Sequence, residues 1–116
     1  MDLDPDCLFC RIVKREIPAD LVLERDDVLA FRDINPQAST HVLVIPKQHI
    51  PSLVAVEESH DRLLASLVGT VNEIARQQGV ADGFRVVTNI GPAAGQSVGH
   101  LHLHVLGGRA FGWPPG

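Results

Sequence analysis

The alternation of apolar and polar positions predicts five strands and one short helix. The strand patterns fall at 21–24, 28–32, 41–46, 83–89 and 100–106. Each contains β-branched or alternating apolar residues between turn-forming residues. The segment 41–46 is almost wholly apolar, which is typical of a central strand buried on both faces. A short helix is predicted over 7–16, with Asp6 as its N-cap and Pro18 just beyond its end.

One long amphipathic helix is predicted between residues 57 and 78. Its apolar residues recur at steps of three and four and form one stripe, made of Leu63, Leu64, Leu67, Val68, Val71, Ile74 and Ala75. Gly79 follows as a C-terminal stop signal. The strands are grouped around this helix without regular β-α-β alternation. The sequence therefore predicts an α+β fold with a mainly antiparallel sheet.

Composition narrows the classes of function. A chain of 116 residues, 45% hydrophobic and 21% charged, has the size and balance of a single globular domain. The net charge of −4 argues against a nucleic-acid coat or a cationic membrane binder. No apolar run reaches the ~20 residues that a membrane span needs. The acidic start at 1–6 is unlike a signal peptide, so we expect a cytoplasmic domain with no membrane or nucleic-acid partner.

Three histidines alternate with apolar residues near the C-terminus. Side chains of a strand alternate between its faces, so His100, His102 and His104 are predicted to share one face. Such a row is typical of a catalytic metal site, or of a nucleophilic histidine with orienting neighbours. The spacing does not separate the two. The preceding glycine-rich loop 91–95 and the donors Gln96 and Ser97 favour an anionic oxygen, such as that of a phosphate.

The segment 100–106 resembles the signature of the histidine triad (HIT) family, in which histidine and hydrophobic residues alternate. Segments 95–98 and 107–116 resemble its Hint branch, the purine nucleoside phosphoramidases. Similar segments also occur at 17–19, 30–38 and 41–47, so the resemblance extends from about Cys7 to Gly116. It implies a HIT-like fold of one domain over 1–116 and a two-fold homodimer. Residues 1–6 are then a flexible N-terminus, and the tail 107–116 docks at the dimer interface.

The resemblance also implies a mechanism. The middle histidine of the family's triad, here His102, attacks the α-phosphorus of a nucleoside phosphoramidate and forms a covalent nucleotidyl-histidine. His104 then interacts with the phosphate or the leaving group, and His41 holds the tautomer of His102 or shares its proton. Ser97 passes a proton to the departing amine.

The same resemblance assigns the nucleotide contacts. Asp33 accepts the ribose hydroxyls, although by its position alone it also reads as a turn residue capping its own backbone. Gln96 and Asn89 bind phosphate or ribose oxygens. The purine pocket is lined by apolar residues, namely Leu8, Phe9, Ile12, Phe31 and Ile34. Trp113 reaches the active site of the partner subunit.

Two cysteines, Cys7 and Cys10, stand in a C-x-x-C spacing that indicates a metal or redox pair in a reducing compartment. The animal branch lacks both, whereas many bacterial members hold a structural zinc through two such cysteines and two histidines. The resemblance places His49 and His100 as the other ligands. Four protein ligands make a closed, structural zinc site. A reduced metal-free pair and an adventitious disulfide are the alternatives.

The leading hypothesis is a purine nucleotide-binding hydrolase that cleaves the P–N bond of nucleoside 5′-phosphoramidates, such as AMP joined to lysine, without a catalytic cofactor. One alternative is a non-catalytic nucleotide-binding regulatory dimer. Another is a metal-dependent hydrolase that uses the histidine row. Two departures from the family pattern stand out. Gly99 occupies the place of a larger residue, and the segment 109–112 differs from that of the animal proteins.

Overall fold

A computed structural model describes residues 3–116. Within this range two α-helices and five strands follow in the order α1 Leu8–Val13, β1 Leu21–Glu24, β2 Val28–Arg32, β3 Thr40–Pro46, α2 Asp61–Gln77, β4 Phe84–Val87 and β5 Leu103–Gly107. Short 3-10 turns occupy Leu53–Ala55, Glu58–His60 and Pro92–Ala94. Of the predicted flexible segment 1–6, residues 1 and 2 lie outside the described residues. Leu3 packs against the apolar cluster around α1.

The strands form one antiparallel sheet in the order β1-β2-β3-β5-β4. β3 lies at its centre, and all seven of its residues are buried. The predicted α+β class, the antiparallel sheet of five strands and the buried central strand are therefore confirmed. The apolar run of 41–46 is required because helices cover both faces of this strand.

The two faces of the sheet carry different helices. On one face α2 buries its stripe, including Leu67 and Ile74, against Val42, Val44 and Val105. On the other face α1 packs Phe9 and Ile12 among neighbours that include Phe31, Leu43 and Ile45. Alternate residues of β3 thus serve two cores. In the described part of the chain, no helix combines the length and apolar character needed to cross a membrane.

The N-terminal ends of both helices differ from the prediction. Cys7, not Asp6, is the N-cap of α1, because its Sγ accepts the backbone N–H of Cys10 at 3.4 Å. α2 begins four residues later than expected, after the 3-10 turn Glu58–His60. Its end is as predicted. Gly79 has φ +72°, and its N–H donates to the carbonyl of Arg76. The N–H of Val80 donates to the carbonyl of Ala75, and the two hydrogen bonds form a Schellman motif.

The last strand begins at Leu103, so the predicted strand from residue 100 is too long. Its pairing with β3 ends at Val44↔Leu103. Pro46 has no N–H to continue the ladder, and its carbonyl is bonded to the ring of His100 at 2.9 Å. The N–H of Leu101 instead bonds the carbonyl of Ile50 at 2.7 Å. His100 and His102 therefore lie in an irregular segment that leads into β5.

Candidate active site and metal cluster

A cleft of about 860 Å³ opens on the α1 face of the sheet. It brings together most of the predicted substrate-binding residues, namely Leu8, Phe9, Ile12, Phe31, Asp33, Ile34, Ser97, His102 and His104. Its other lining residues were not predicted: Ile17, Pro18, Ala19, Asp20, Arg32, Leu43 and Val98. The walls are mainly apolar, and Ile34 is fully exposed at 100%. Such a pocket suits a flat apolar group with a polar end.

His102 is held in one tautomer. Its side chain is buried, with 4% of the residue exposed, and its Nδ1 lies 2.7 Å from the backbone carbonyl of His100. A carbonyl only accepts, so in the neutral imidazole Nδ1 carries the proton and Nε2 keeps its lone pair. The hydroxyl of Thr88 donates to the carbonyl of His102 at 2.9 Å, and the ring of Phe9 meets the imidazole edge-on. The unprotonated Nε2 is the form of imidazole that can attack an electrophile.

His41 and His104 form a second hydrogen-bonded chain. The backbone N–H of Gln37 donates to His41 Nδ1 at 3.0 Å, so the proton of neutral His41 lies on Nε2. That Nε2 donates to His104 Nδ1 at 2.9 Å, which places the proton of His104 on its own Nε2. We expected His41 to serve His102. The structure instead places it against His104, and a backbone carbonyl holds His102.

Burial keeps these imidazoles neutral. It lowers the pKa of His104 to about 4, helped by the neighbouring His102 and His41 and opposed by the charge of Asp33. Burial also lowers the pKa of His41, again opposed by Asp33. The Oδ2 of Asp33 is 3.4 Å from His41 Nε2, and its Oδ1 accepts the N–H of Asn35 at 2.8 Å.

Asp33, His41 and His104 also lie close enough together to be considered as metal ligands. The hydrogen bond from Gln37 argues against this, because His41 cannot accept at Nδ1 and also offer a free lone pair at Nε2. The predicted row of three histidines does not converge on one point either. His100 turns its Nδ1 toward Cys7, whereas His102 turns its Nδ1 toward a carbonyl.

Three predicted contact residues lie outside the lining of the cleft. The amide of Gln96 accepts the N–H of Gly91 at 2.8 Å and donates to the carbonyl of Pro51 at 2.7 Å. It therefore holds the glycine-rich loop. Asn89 is partly buried just beyond β4, and Trp113 is 86% exposed.

Cys7, Cys10, His49 and His100 form a compact cluster whose ligand atoms all lie within 4.8 Å of one another. Cys10 Sγ is 3.2 Å from His49 Nδ1 and 3.5 Å from His100 Nδ1, and the two Nδ1 atoms are 3.2 Å apart. A tetrahedral zinc with ordinary bond lengths requires edges of about 3.5 Å between S and N and about 3.3 Å between N and N. The four residues therefore fit a zinc ion.

The protonation pattern of the cluster also suits a cation. His100 Nε2 donates to the carbonyl of Pro46, so its Nδ1 lone pair faces the cysteines. Such an outer hydrogen bond is typical of metal-binding histidines. Burial lowers the pKa of His100 to about 4 and raises that of the Cys10 thiol to about 11. The imidazole is thus neutral, and a bound cation would favour the thiolate form of Cys10.

The fold and the two histidine systems define a protein of the histidine triad class. Residues 14–111 match the family described as HIT domain, and the chain belongs to that family. It is similar to the 14 kDa zinc-binding protein of Zea mays, with 50% identity over 97% of this chain and 90% of that protein.

Two further similarities extend this assignment. Adenylylsulfatase HINT1 of Arabidopsis thaliana is 47% identical over 97% of this chain and 78% of that protein. The crystal structure of a HIT family hydrolase from Legionella pneumophila superposes with a TM-score of 0.93 at 47% identity, covering 96% of this chain and all of that one. The resemblance drawn from residues 100–106 is therefore confirmed.

Proposed function

We propose that this chain hydrolyses the P–N bond of purine nucleoside 5′-phosphoramidates through a covalent nucleotidyl-histidine on His102. The observation that carries the proposal is the hydrogen bond of 2.7 Å from His102 Nδ1 to the carbonyl of His100. It leaves an unprotonated Nε2 on a ring that lines the apolar cleft. Membership of the HIT family and similarity to a HIT family hydrolase support hydrolysis as the reaction class.

In the first step, His102 Nε2 forms a bond to the α-phosphorus while the bond from phosphorus to the amine nitrogen breaks. The amine cannot leave as an anion, so it must take a proton as it departs. Ser97, which lines the cleft, passes this proton in our proposal, and the Nε2–H of His104 hydrogen-bonds the phosphoryl oxygens or the leaving group. In the second step, a water oxygen forms a bond to the phosphorus as the bond from phosphorus to His102 Nε2 breaks. The proton of this water passes to Ser97, which restores its hydroxyl, and the nucleoside monophosphate leaves.

The nucleotide is held along the cleft in this scheme. Asp33 accepts the ribose hydroxyls, and the purine lies between apolar side chains that include Phe9, Ile12 and Phe31. Gln96 and Asn89 support the phosphate end. Gln96 does so through the glycine-rich loop, since its amide is bonded to backbone groups.

We also propose that Cys7, Cys10, His49 and His100 bind a structural zinc ion, with all four coordination positions filled by protein. The donor set and its spacing support this assignment, as does the similarity to a zinc-binding relative. The proposed unit is a cytoplasmic homodimer in which the exposed Trp113, in the tail 107–116, reaches the partner's active site. No membrane or nucleic-acid partner is part of this proposal.

Adenylyl sulfate is a second candidate substrate, because a relative of 47% identity is named an adenylylsulfatase. Its cleavage would use the same attack by His102 on the α-phosphorus. Sulfate is a stable anion and needs no proton to leave. Replacing the hydroxyl of Ser97 should therefore slow the loss of an amine more than the loss of sulfate.

The test compares His102→Asn and His102→Ala with His60→Asn, a control on an exposed turn away from the cleft. We expect both His102 variants to lose release of amine from an AMP–lysine phosphoramidate by at least about a thousandfold, since a covalent step is removed. AMP binding, measured by calorimetry, should stay within a fewfold of the wild type. Intact-protein mass spectrometry after rapid quenching should show the nucleotidyl adduct only in proteins with His102. Retained turnover in the variants would exclude the covalent mechanism, and an inactive wild type that binds AMP would favour a regulatory binder.

A further inference from the structure

We propose that Arg109 is a positioning residue that fixes the tautomer of the His41–His104 pair from the C-terminal tail. The inference rests on the proposed function for its effect on catalysis, but its structural part stands independently. The tail lies at the end of β5, and Arg109 crosses from there to the loop 33–39. Neither the cleft lining nor the metal cluster includes Arg109.

A tight turn aims Arg109 at this loop. Gly108 has φ +88°, and a Cβ there would overlap the hydroxyl oxygen of Ser39. A Cβ on Gly107 would lie 2.8 Å from the side chain of Val80. Both positions therefore require glycine, and the chain leaves β5 in direct contact with the loop that carries Gln37.

Arg109 is anchored on both sides. Its guanidinium lies 4.3 Å from the centre of the Phe111 ring, and Arg85 lies 4.9 Å from the same ring. Arg109 Nη1 donates to the carbonyl of Ala110 at 3.0 Å, while its Nε donates to the carbonyl of Gln37 at 2.9 Å. The latter is the contact that joins the tail to the active site.

Gln37 links Arg109 to the histidines. The carbonyl of Gln37 accepts from Arg109, and the N–H of the same residue donates to His41 Nδ1 at 3.0 Å. That N–H places the proton of His41 on Nε2, and so the proton of His104 on its own Nε2. If residue 37 shifts, His41 becomes free to protonate Nδ1. The Nε2 of His41 then accepts a hydrogen bond from Nδ1–H of His104. With its proton on Nδ1, His104 has no N–H donor at its own Nε2.

The experiment compares Arg109→Leu with the matched control Arg85→Leu. Both changes remove a guanidinium from Phe111, but Arg85 donates to the carbonyl of Gly112 and not to Gln37. Arg109→Lys is the conservative variant, because it keeps a cationic donor. The structural readout is the set of ¹⁵N chemical shifts of the histidine side chains at neutral pH, which separate bare from protonated ring nitrogens. The kinetic readout is kcat and KM for the phosphoramidate.

In Arg109→Leu we expect the His41 and His104 nitrogen shifts to move toward tautomer averages. kcat should fall about three- to tenfold, the range expected for the net contribution of one ordinary hydrogen bond, with KM within about twofold. Arg85→Leu should leave shifts and kcat near wild type, and Arg109→Lys should restore both in part. Unchanged shifts in Arg109→Leu, or equal effects in Arg85→Leu, would overturn the inference. If the wild type fails to hydrolyse phosphoramidates, the proposed function fails and the shifts still decide the role of Arg109.

Discussion

Removing the proposed zinc ion from the Cys/His cluster should destabilise the fold strongly and leave the chemistry of folded molecules intact. The cluster joins three distant parts of the chain: α1, the segment after β3, and the segment before β5. Cys10 and His49 are 39 residues apart in sequence, and His49 and His100 are 51 apart. A metal that stays bound to these residues on unfolding acts as a cross-link and restricts the unfolded ensemble.

The size of the effect follows from loop closure. Treated as a cross-link, a loop of about 40 residues contributes about 4 kcal/mol at 25 °C. At an unfolding entropy of about 2.1 cal/mol/K per residue, a chain of this length changes its Tm by about 4 °C per kcal/mol. We therefore expect the Tm to fall by about 15 °C on metal removal.

The assay is thermal unfolding followed by circular dichroism, before and after chelation, with metal content measured by mass spectrometry. The double variant Cys7→Ser/Cys10→Ser is the control, and its Tm should be low and insensitive to chelator. Turnover below the lower Tm should persist, because the hydrogen bond that holds His102 is made to the backbone carbonyl of His100 and not to its ring. A metal-free protein that melts within about 3 °C of the loaded one would refute this reasoning. A loss of turnover without unfolding would indicate a catalytic metal.

Two further predictions concern the cleft. Asp33→Asn keeps an oxygen for the N–H of Asn35 but removes the charge that we propose accepts the ribose hydroxyls. The preference for ribonucleotide over 2′-deoxyribonucleotide substrates, measured as a ratio of kcat/KM, should fall about tenfold, and an unchanged ratio would contradict the assignment. Burial lowers the pKa of His104 from 6.5 to about 4, so the unfolded state binds the proton first as the pH falls. The free energy of unfolding that depends on neutral His104 is therefore fully present above pH 6.5. It decreases by up to about 3 kcal/mol as the pH falls from 6.5 to 4. The free energy of unfolding of His104→Gln, measured with urea, should therefore decrease less than that of the wild type over this pH range.

The elements of the fold could be predicted because their periodicities are strong. The two-sided apolar run of β3 and the stripe of α2 each leave few alternatives. The ends of the strands were predicted less accurately. β5 starts at Leu103 because Pro46 cannot continue the ladder and because the N–H of Leu101 bonds the carbonyl of Ile50. The contacts of His100 with Pro46 and of Leu101 with Ile50 join residues about 50 positions apart in sequence. No local pattern carries that information.

In the candidate site, too, the members could be predicted and the hydrogen bonds between them could not. The resemblance to the HIT family indicated which side chains gather at the cleft, and the Cys/His cluster has the four expected members. Their pairing could not be predicted. Backbone groups set it, namely the carbonyl of His100 and the N–H of Gln37, and every residue except proline has both groups. Gln96 also differs from expectation, since its amide is bonded to loop backbone.

The double role of His100 affects which sequence changes the fold can tolerate. This residue contributes different atoms to the Cys/His cluster and to the active site. Its ring belongs to the Cys/His cluster, whereas its carbonyl orients His102. A substitution at position 100 removes the imidazole ring but keeps the backbone carbonyl. Descendants of such a chain are therefore free to lose the proposed metal site and replace the cysteines, provided that other packing preserves the path of the backbone. An insertion or deletion between residues 100 and 102 would have no such freedom, because it would break the inherited spacing itself.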